Sequence, residues 1–318
     1  MNRDISVDIL KFLAVLLITN SHFGGLYPDS ISVLATGGAI GDALFFFCSG
    51  FTLLLKPMGR FDNWYKKRIS RIYPTIFAWA IILYFIFGVD YKTSYVIMDS
   101  GGWFVNCILI YYIVIYFVDR YVSKHLYWFL TFYSVAIVVT YIFWDKGEGF
   151  RMYEQTYIKW VFFFLFMLLG AIIGRNRIAI SAGKSLAGLV VCLVLFYALF
   201  FLSIVDIRLN HIQLLSLAPL AGVVLFLYTL CNSEKIKSLI RIKYLGWTIM
   251  LIGGMCLEIY ITQMFFIRME FSMPFPLNCL VVIAMIIVTS YFLRCMSRLF
   301  LQTFNKQDYN WKEIFKMV

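Results

Sequence analysis

Apolar stretches of about 15 to 24 residues alternate with short polar ones along the whole chain, at 5–25, 38–56, 70–89, 103–119, 126–144, 159–174, 185–205, 212–231, 244–267 and 277–300. A hydrocarbon core of about 30 Å is crossed by roughly 20 helical residues at 1.5 Å each. The pattern therefore predicts an all-α polytopic membrane protein with about ten transmembrane helices. With the N-terminus inside, the polar stretches place 21 basic residues on the inner side and 6 on the outer, and Lys11 lies within the first segment. This positive-inside bias predicts an even number of spans and two cytoplasmic termini. No repeat or composition shift divides the chain, so it reads as a single integral-membrane domain over 1–318 with a cytoplasmic tail at about 302–318.

The first segment breaks the apolar pattern in an ordered way. Asp8, Lys11 and His22 interrupt it. On a helix turning about 100° per residue, the steps from Lys11 to His22 sum to three turns plus about 20°, so both lie on one stripe. Asp8 shares that face as an i,i+3 partner of Lys11. The two basic groups would stand about 16 Å apart, half the depth of the hydrocarbon core. Polar groups at such depth face a protein interior or a water-filled cavity, and they mark function. Snorkelling of Lys11 to the inner interface is the plainer alternative.

Other polar positions fall into place around this stripe. Asp42 opens the second segment, either as a carboxylate favoured by the helix dipole or as the group that orients His22. Gly37 and Gly41 there, and Gly170 and Gly174 later, have the spacing that lets helix backbones approach. Arg68 and Arg71 stand at the entry to the third segment beside Lys67. They fit a topology signal in contact with lipid headgroups, or a fork for phosphate oxygens. Trp103 reads as an interfacial anchor. Glu258 sits mid-span in 244–267, with Thr262 and Gln263 near it, and needs a polar partner at that depth.

Composition narrows the class further. With 62% hydrophobic residues, 14% charged and a mean hydropathy of +0.83, a soluble fold is excluded, because it would expose large apolar patches. The net charge of +11 follows from topology and gives no reason to expect nucleic acid. The seven cysteines lie in apolar segments without C-x-x-C, and three histidines come without a metal-binding motif, so no metal is expected.

Lys11 followed by ten residues and His22, LFFFCSGF at 44–51, R-I-S-R at 68–71 followed by IYP, WF at 103–104 and EIYITQ at 258–263, in this order, resemble the membrane-integral acyltransferase-three family. Its members O-acetylate surface polysaccharides. The resemblance covers at least 3–119 and 244–267. It implies acetyl-CoA as a cytoplasmic donor and a surface polysaccharide or lipid-linked glycan as acceptor, in a bacterial inner or plasma membrane. His22 matches the catalytic histidine, Lys11 its basic partner, and Arg68 and Arg71 the paired arginines, with Lys67 and Lys11 beside the donor. Asp42 and Glu258 complete the catalytic set. Trp103, Tyr260 and Gln263 are read on the acceptor side. The chain departs from the family where many relatives carry a histidine, at Gln263, and where a carboxylate often falls, at Ala43. The chemistry is coherent: an imidazole with a pKa near 6.5 can take a hydroxyl proton as attack on a thioester begins. An acetyl-histidine intermediate fits equally. Membrane lipids and further copies of the chain are its other expected partners.

The competing class is a transporter or flippase of lipid-linked saccharides, which would need broken helices or more charge in the later segments. Those segments read as bland. A noncatalytic scaffold leaves the polar stripe unexplained.

Overall fold

The computed structural model describes residues 4–55, 57–89, 101–147, 149–154, 156–269, 271–304 and 307–318. Arg3, Lys56, Lys92 and Lys306, counted above among the basic residues, lie outside the described residues, as does the side chain of Arg208. Every described element is helical. The helices are α1 (Ile5–Ser21), α2 (Gly38–Leu53), α3 (Phe61–Phe85), α4 (Gly102–Val122), α5 (Leu126–Phe143), α6 (Thr156–Asn176) and α7 (Ala182–Val205). They continue with α8 (Leu217–Cys231), α9 (Glu234–Leu239), α10 (Lys243–Gly254), α11 (Cys256–Ile267), α12 (Leu277–Thr303) and α13 (Trp311–Ile314). Six helical stretches among the described residues are long and apolar enough to cross a membrane, or seven if α10 and α11 count as one. The chain is a helical membrane protein. α1, with 17 residues, and α3, with a charged first half, fall outside those six.

Three boundaries differ from the sequence pattern. α3 begins at Phe61, well before the apolar stretch at 70, so Arg68 and Arg71 sit inside a helix and not at its entry. Its polar first turns are held by aromatic packing, with Trp64 buried and the Tyr65 hydroxyl donating to the Leu109 carbonyl at 3.4 Å. The stretch 207–216 is a 3-10 helix ahead of α8. The apparent span 244–267 is broken at Met255, where α10 and α11 meet at 76°. Gly253 and Gly254 precede the break, and backbone without side chains gives a helix little reason to continue. The later segments are therefore not bland.

The chain forms two compact units. The first comprises 1–14, 39–57 and 114–246, and the second 15–38, 58–113 and 247–318. In the first, glycine lets α6 lie on the backbone of α2. A Cβ at Gly50 would come within 1.9 Å of the Met167 carbonyl oxygen, and one at Gly170 within 2.0 Å of that of Phe47. Gly174 meets Phe51 in the same way, so this G-x-x-x-G is a packing device. The other pair is different: Gly37 lies ahead of α2 with φ +104°, in the left-handed region that favours glycine, against the Leu17 side chain. Asp4 starts α1 by accepting the Ser6 amide at 3.1 Å and the Ser6 hydroxyl at 2.6 Å. It also pairs with Arg177, whose guanidinium lies 4.7 Å from the Phe51 ring centre.

Burial pushes the Asp4 carboxyl up, but the Ser6 hydroxyl, Arg177 and the Ser6 amide outweigh it and hold it below its ordinary value of 3.8. A carboxyl depressed in the fold stabilises it above the unfolded value and loses that contribution as pH falls. Asp4→Asn should therefore cost no more than about 1 kcal/mol of stability at pH 7 for a partly exposed pair, seen as a slightly lower thermal midpoint. Thermal melts of both proteins at pH 7 and pH 3 check this, and the difference should be smaller at the lower pH.

In the second unit, small polar pairs staple α12 to its neighbours. The Thr75 and Ser297 hydroxyls share a hydrogen bond of 3.1 Å, and Thr262 and Ser290 one of 2.9 Å. Rings complete the packing of α3 on α11, where Trp79 meets Phe265 edge-on at 5.7 Å. α11 thus packs on both α3 and α12 and carries Glu258, Tyr260, Thr262 and Gln263, all singled out in the sequence.

Candidate functional site

His22 follows the last residue of α1 and is exposed, at the start of a 3-10 turn over Phe23–Leu26. Its backbone N–H donates to the Thr19 carbonyl at 3.2 Å. That turn is held from two sides. The Thr19 hydroxyl donates to Oε1 of Gln263 on α11 at 2.9 Å, and Gln263 is 1% exposed. The Asn20 amide donates to the Leu34 and Thr36 carbonyls at 2.8 and 2.9 Å, and its oxygen accepts from the Tyr27 hydroxyl at 2.6 Å. A helix end that would otherwise fray is tied to α11 and to the following loop, so the backbone bearing the imidazole is fixed.

One turn before Gln263, Tyr260 reaches the start of α4. Its hydroxyl accepts the Phe104 amide at 3.4 Å, and its ring lies 5.1 Å from that of Phe104. Trp103 packs edge-on against the same phenylalanine. A first-turn amide that has no helical partner is satisfied in this way. α11 thereby links the His22 turn to the α4 N-terminus, and it brings Trp103, Tyr260 and Gln263 into one framework with His22.

Glu258 occupies the first turn of α11, 9% exposed, just after the break. Arg294 and Arg298 of α12 are its charged neighbours. Gly254 leaves the space Arg294 uses, since a Cβ there would stand 2.9 Å from the guanidinium. Arg298 in turn donates to the Ile314 and Lys316 carbonyls. A buried first-turn carboxylate with two guanidinium neighbours is a counter-ion first. In the sequence both arginines fall among the 21 inner-side basic residues.

On α3, Arg68 and Arg71 are not equivalent. Arg71 and Lys67 are exposed. Arg68 is half-buried, its guanidinium 5.0 Å from the Trp64 ring centre and 6.0 Å from that of Tyr112. Its Nε is buried and finds no hydrogen-bond partner among the described residues. The rings hold the guanidinium in place and leave a donor for an anion.

Asp8, Lys11 and Asp42 belong to the first unit. Asp8 is 7% exposed and Lys11 half-buried. The charged neighbour of Asp42 is Lys159 of α6, 8% exposed. In the sequence Lys159 is one of the 6 outer-side basic residues, at the start of the apolar stretch 159–174. A lysine so close to an apolar run was the available sign that it serves a buried partner. The structure thus groups His22, Trp103, Tyr260, Glu258, Gln263, Lys67, Arg68 and Arg71 in one unit, and Lys11 and Asp42 in the other.

A family model described as an acyltransferase domain matches residues 4–304. The chain belongs to the acyltransferase-three family. The match takes in all of α1 to α12. Comparisons with curated proteins and with solved structures gave no match. As a member of this family the chain is an acyltransferase of the membrane.

Proposed function

We propose that this acyltransferase moves an acetyl group from cytoplasmic acetyl-CoA to a hydroxyl of a surface or lipid-linked polysaccharide, with His22 as general base. The acceptor oxygen attacks the thioester carbonyl as the imidazole takes its proton, and the proton then goes to the departing thiolate of CoA. The observation that carries the reading is the fixed His22 turn, because a general base acts only within hydrogen-bond reach of the proton it removes. Trp103, Tyr260 and Gln263 shape the acceptor side. Lys11 assists in placing the donor, and Asp42 and Glu258 support the polar interior. Transfer of labelled acetyl groups by the purified protein to candidate glycans tests the reaction.

Arg68, with its buried donor nitrogen, and the exposed Arg71 and Lys67 suit the phosphates of the donor. Arg68→Ala is expected to weaken acetyl-CoA binding by about 10- to 100-fold at low salt, the value of one or two charge-assisted contacts. Calorimetric titration of the detergent-solubilised variant measures it. Unchanged affinity would leave Arg68 a structural cation held by Trp64 and Tyr112.

The same reading has about ten spans in a bacterial cell membrane, with both termini and the start of α3 cytoplasmic, supported by the basic-residue bias. Asp62→Cys on a background without other cysteines should resist an impermeant maleimide in intact cells and react after lysis. Reaction in intact cells would reverse the orientation.

One observation favours a second reading, a saccharide transporter. The 76° break between α10 and α11 is a feature such proteins use at binding sites. Uptake of a lipid-linked saccharide into liposomes without acetyl-CoA would support it, and membership of an acyltransferase family weighs against it.

A further inference from the structure

Within the second unit, the last turns of α1 and the first half of α12 enclose a cavity of about 420 Å³, floored at the α10–α11 break by Ile252 and Ile259. That volume lies within the range of small-ligand sites, roughly 300–1,000 Å³. Its walls are sorted by polarity. Val15, Ile286 and Ile259 are buried at the deep end, whereas Leu16, Leu280 and Ile283 form exposed lips. No charged residue lines it. Its hydroxyl and amide lining comes from Thr19 and Asn20, three and two residues before His22, and from Tyr27, five residues after it.

These features select the occupant. Asn20 spends its amide on the Leu34 and Thr36 carbonyls and on Tyr27, and the Thr19 hydroxyl on Gln263, so the polar end is a rigid rim. Phosphates and a bare sugar find no partners in the apolar remainder and would be desolvated at a cost. A hydrocarbon chain loses nothing there. The α12 stretch from Leu277 to Ile287 measures about 15 Å along the helix, half of a 30 Å hydrocarbon core. Leu280 and Ile283 expose apolar lips on α12, a helix long and apolar enough to cross a membrane, so the cavity opens sideways to hydrocarbon. One chain can slide in from a leaflet and leave its polar end at His22.

We propose that this cavity seats the single hydrocarbon chain of a lipid-linked sugar, presenting the sugar hydroxyl to His22. This rests on the reading that the acceptor is a glycan, and it makes the acceptor a glycolipid, recognised by its chain as well as by its sugar. A diacyl phospholipid fits less well, because its second chain has no place.

The experiment uses the full-length protein in nanodiscs and a sugar on one isoprenoid chain bearing a diazirine. Photolabelling should be saturable, should map to 15–20 and 279–287, and should be competed by the unlabelled glycolipid but not by the same sugar without a chain. Leu280→Trp and Ile283→Trp, made separately, fill the cavity from its lips and should each reduce labelling at least about ten-fold, what two lost methylene burials are worth. A diazirine-bearing diacyl phosphatidylcholine is the second arm. Equal, unsaturable labelling by that phospholipid would show a groove filled by bulk lipid and overturn the proposal. So would undiminished glycolipid labelling in two folded tryptophan variants. The readout is binding, so glycolipid labelling without any acetyl transfer would support the site and count against the proposed reaction alone.

Discussion

His22→Gln is expected to lower acetyl transfer by about 10²–10⁴-fold, the contribution of a positioned general base. Glutamine keeps the size and polarity of the side chain but cannot take up a proton. The turn is held by the hydrogen bonds of Thr19, Asn20, Tyr27 and Gln263, all of which remain in the variant. Folding should therefore be preserved. Donor affinity should hold too, since the groups assigned to acetyl-CoA phosphates are on α3. Single-turnover rates at saturating donor, read beside donor affinity, separate the chemical step from binding. A loss well beyond 10⁴-fold would favour an obligatory acetyl-histidine. Near-normal turnover would remove His22 from the chemistry.

The second large effect is expected at Glu258. Removing one partner from a buried charge cluster leaves the other uncompensated, at about 3–5 kcal/mol, whereas replacing the cluster with apolar groups can be neutral. Glu258→Ala should accordingly unfold or strongly destabilise the protein. Glu258→Leu combined with Arg294→Met should recover much of the loss, the remainder reflecting Arg298, which stays anchored to the α13 segment. Thermal unfolding followed by size-exclusion chromatography measures both. If Glu258→Gln instead folds normally and abolishes transfer, Glu258 is a reacting group and not a counter-ion.

Much of the fold was legible because lipid forces backbone hydrogen bonds to be made inside each segment, so long apolar runs have to be helices. The predicted stretches 38–56, 126–144 and 277–300 correspond to α2, α5 and α12 within a few residues. What hydropathy could not show was helix continuing through polar sequence or stopping within apolar sequence. The first turns of α3 are charged, yet Trp64 and Tyr65 pack them, and Arg68 owes its position to those rings. The break at Met255 hides in an apolar run because Gly253 and Gly254 count as hydrophobic-neutral while weakening the helix.

The candidate site was legible as residue types and not as partnerships. His22, Glu258 and Gln263 stood out because polar groups in apolar helices are costly. Their neighbours did not. Arg294, Arg298 and Lys159 look in sequence like charges flanking a membrane span, and only the packing of α12 and α6 turns them toward Glu258 and Asp42. Thr19 gave no sign at all, since a threonine in a helix is unremarked until its hydroxyl meets Gln263. The cavity beside it is built from residues ordinary in any membrane helix, so it exists only in three dimensions.

The most direct test of the central claim follows the acetyl group itself. Purified wild-type protein and the folded His22→Gln variant, reconstituted in liposomes, are given acetyl-labelled acetyl-CoA on the side of α3 and a lipid-linked glycan. Label should pass to a glycan hydroxyl as an alkali-labile ester in the wild type and fall by at least about 100-fold in the variant. Equal labelling by the two proteins, or none by a well-folded wild type with any glycan offered, would contradict a His22-dependent acetyl transfer.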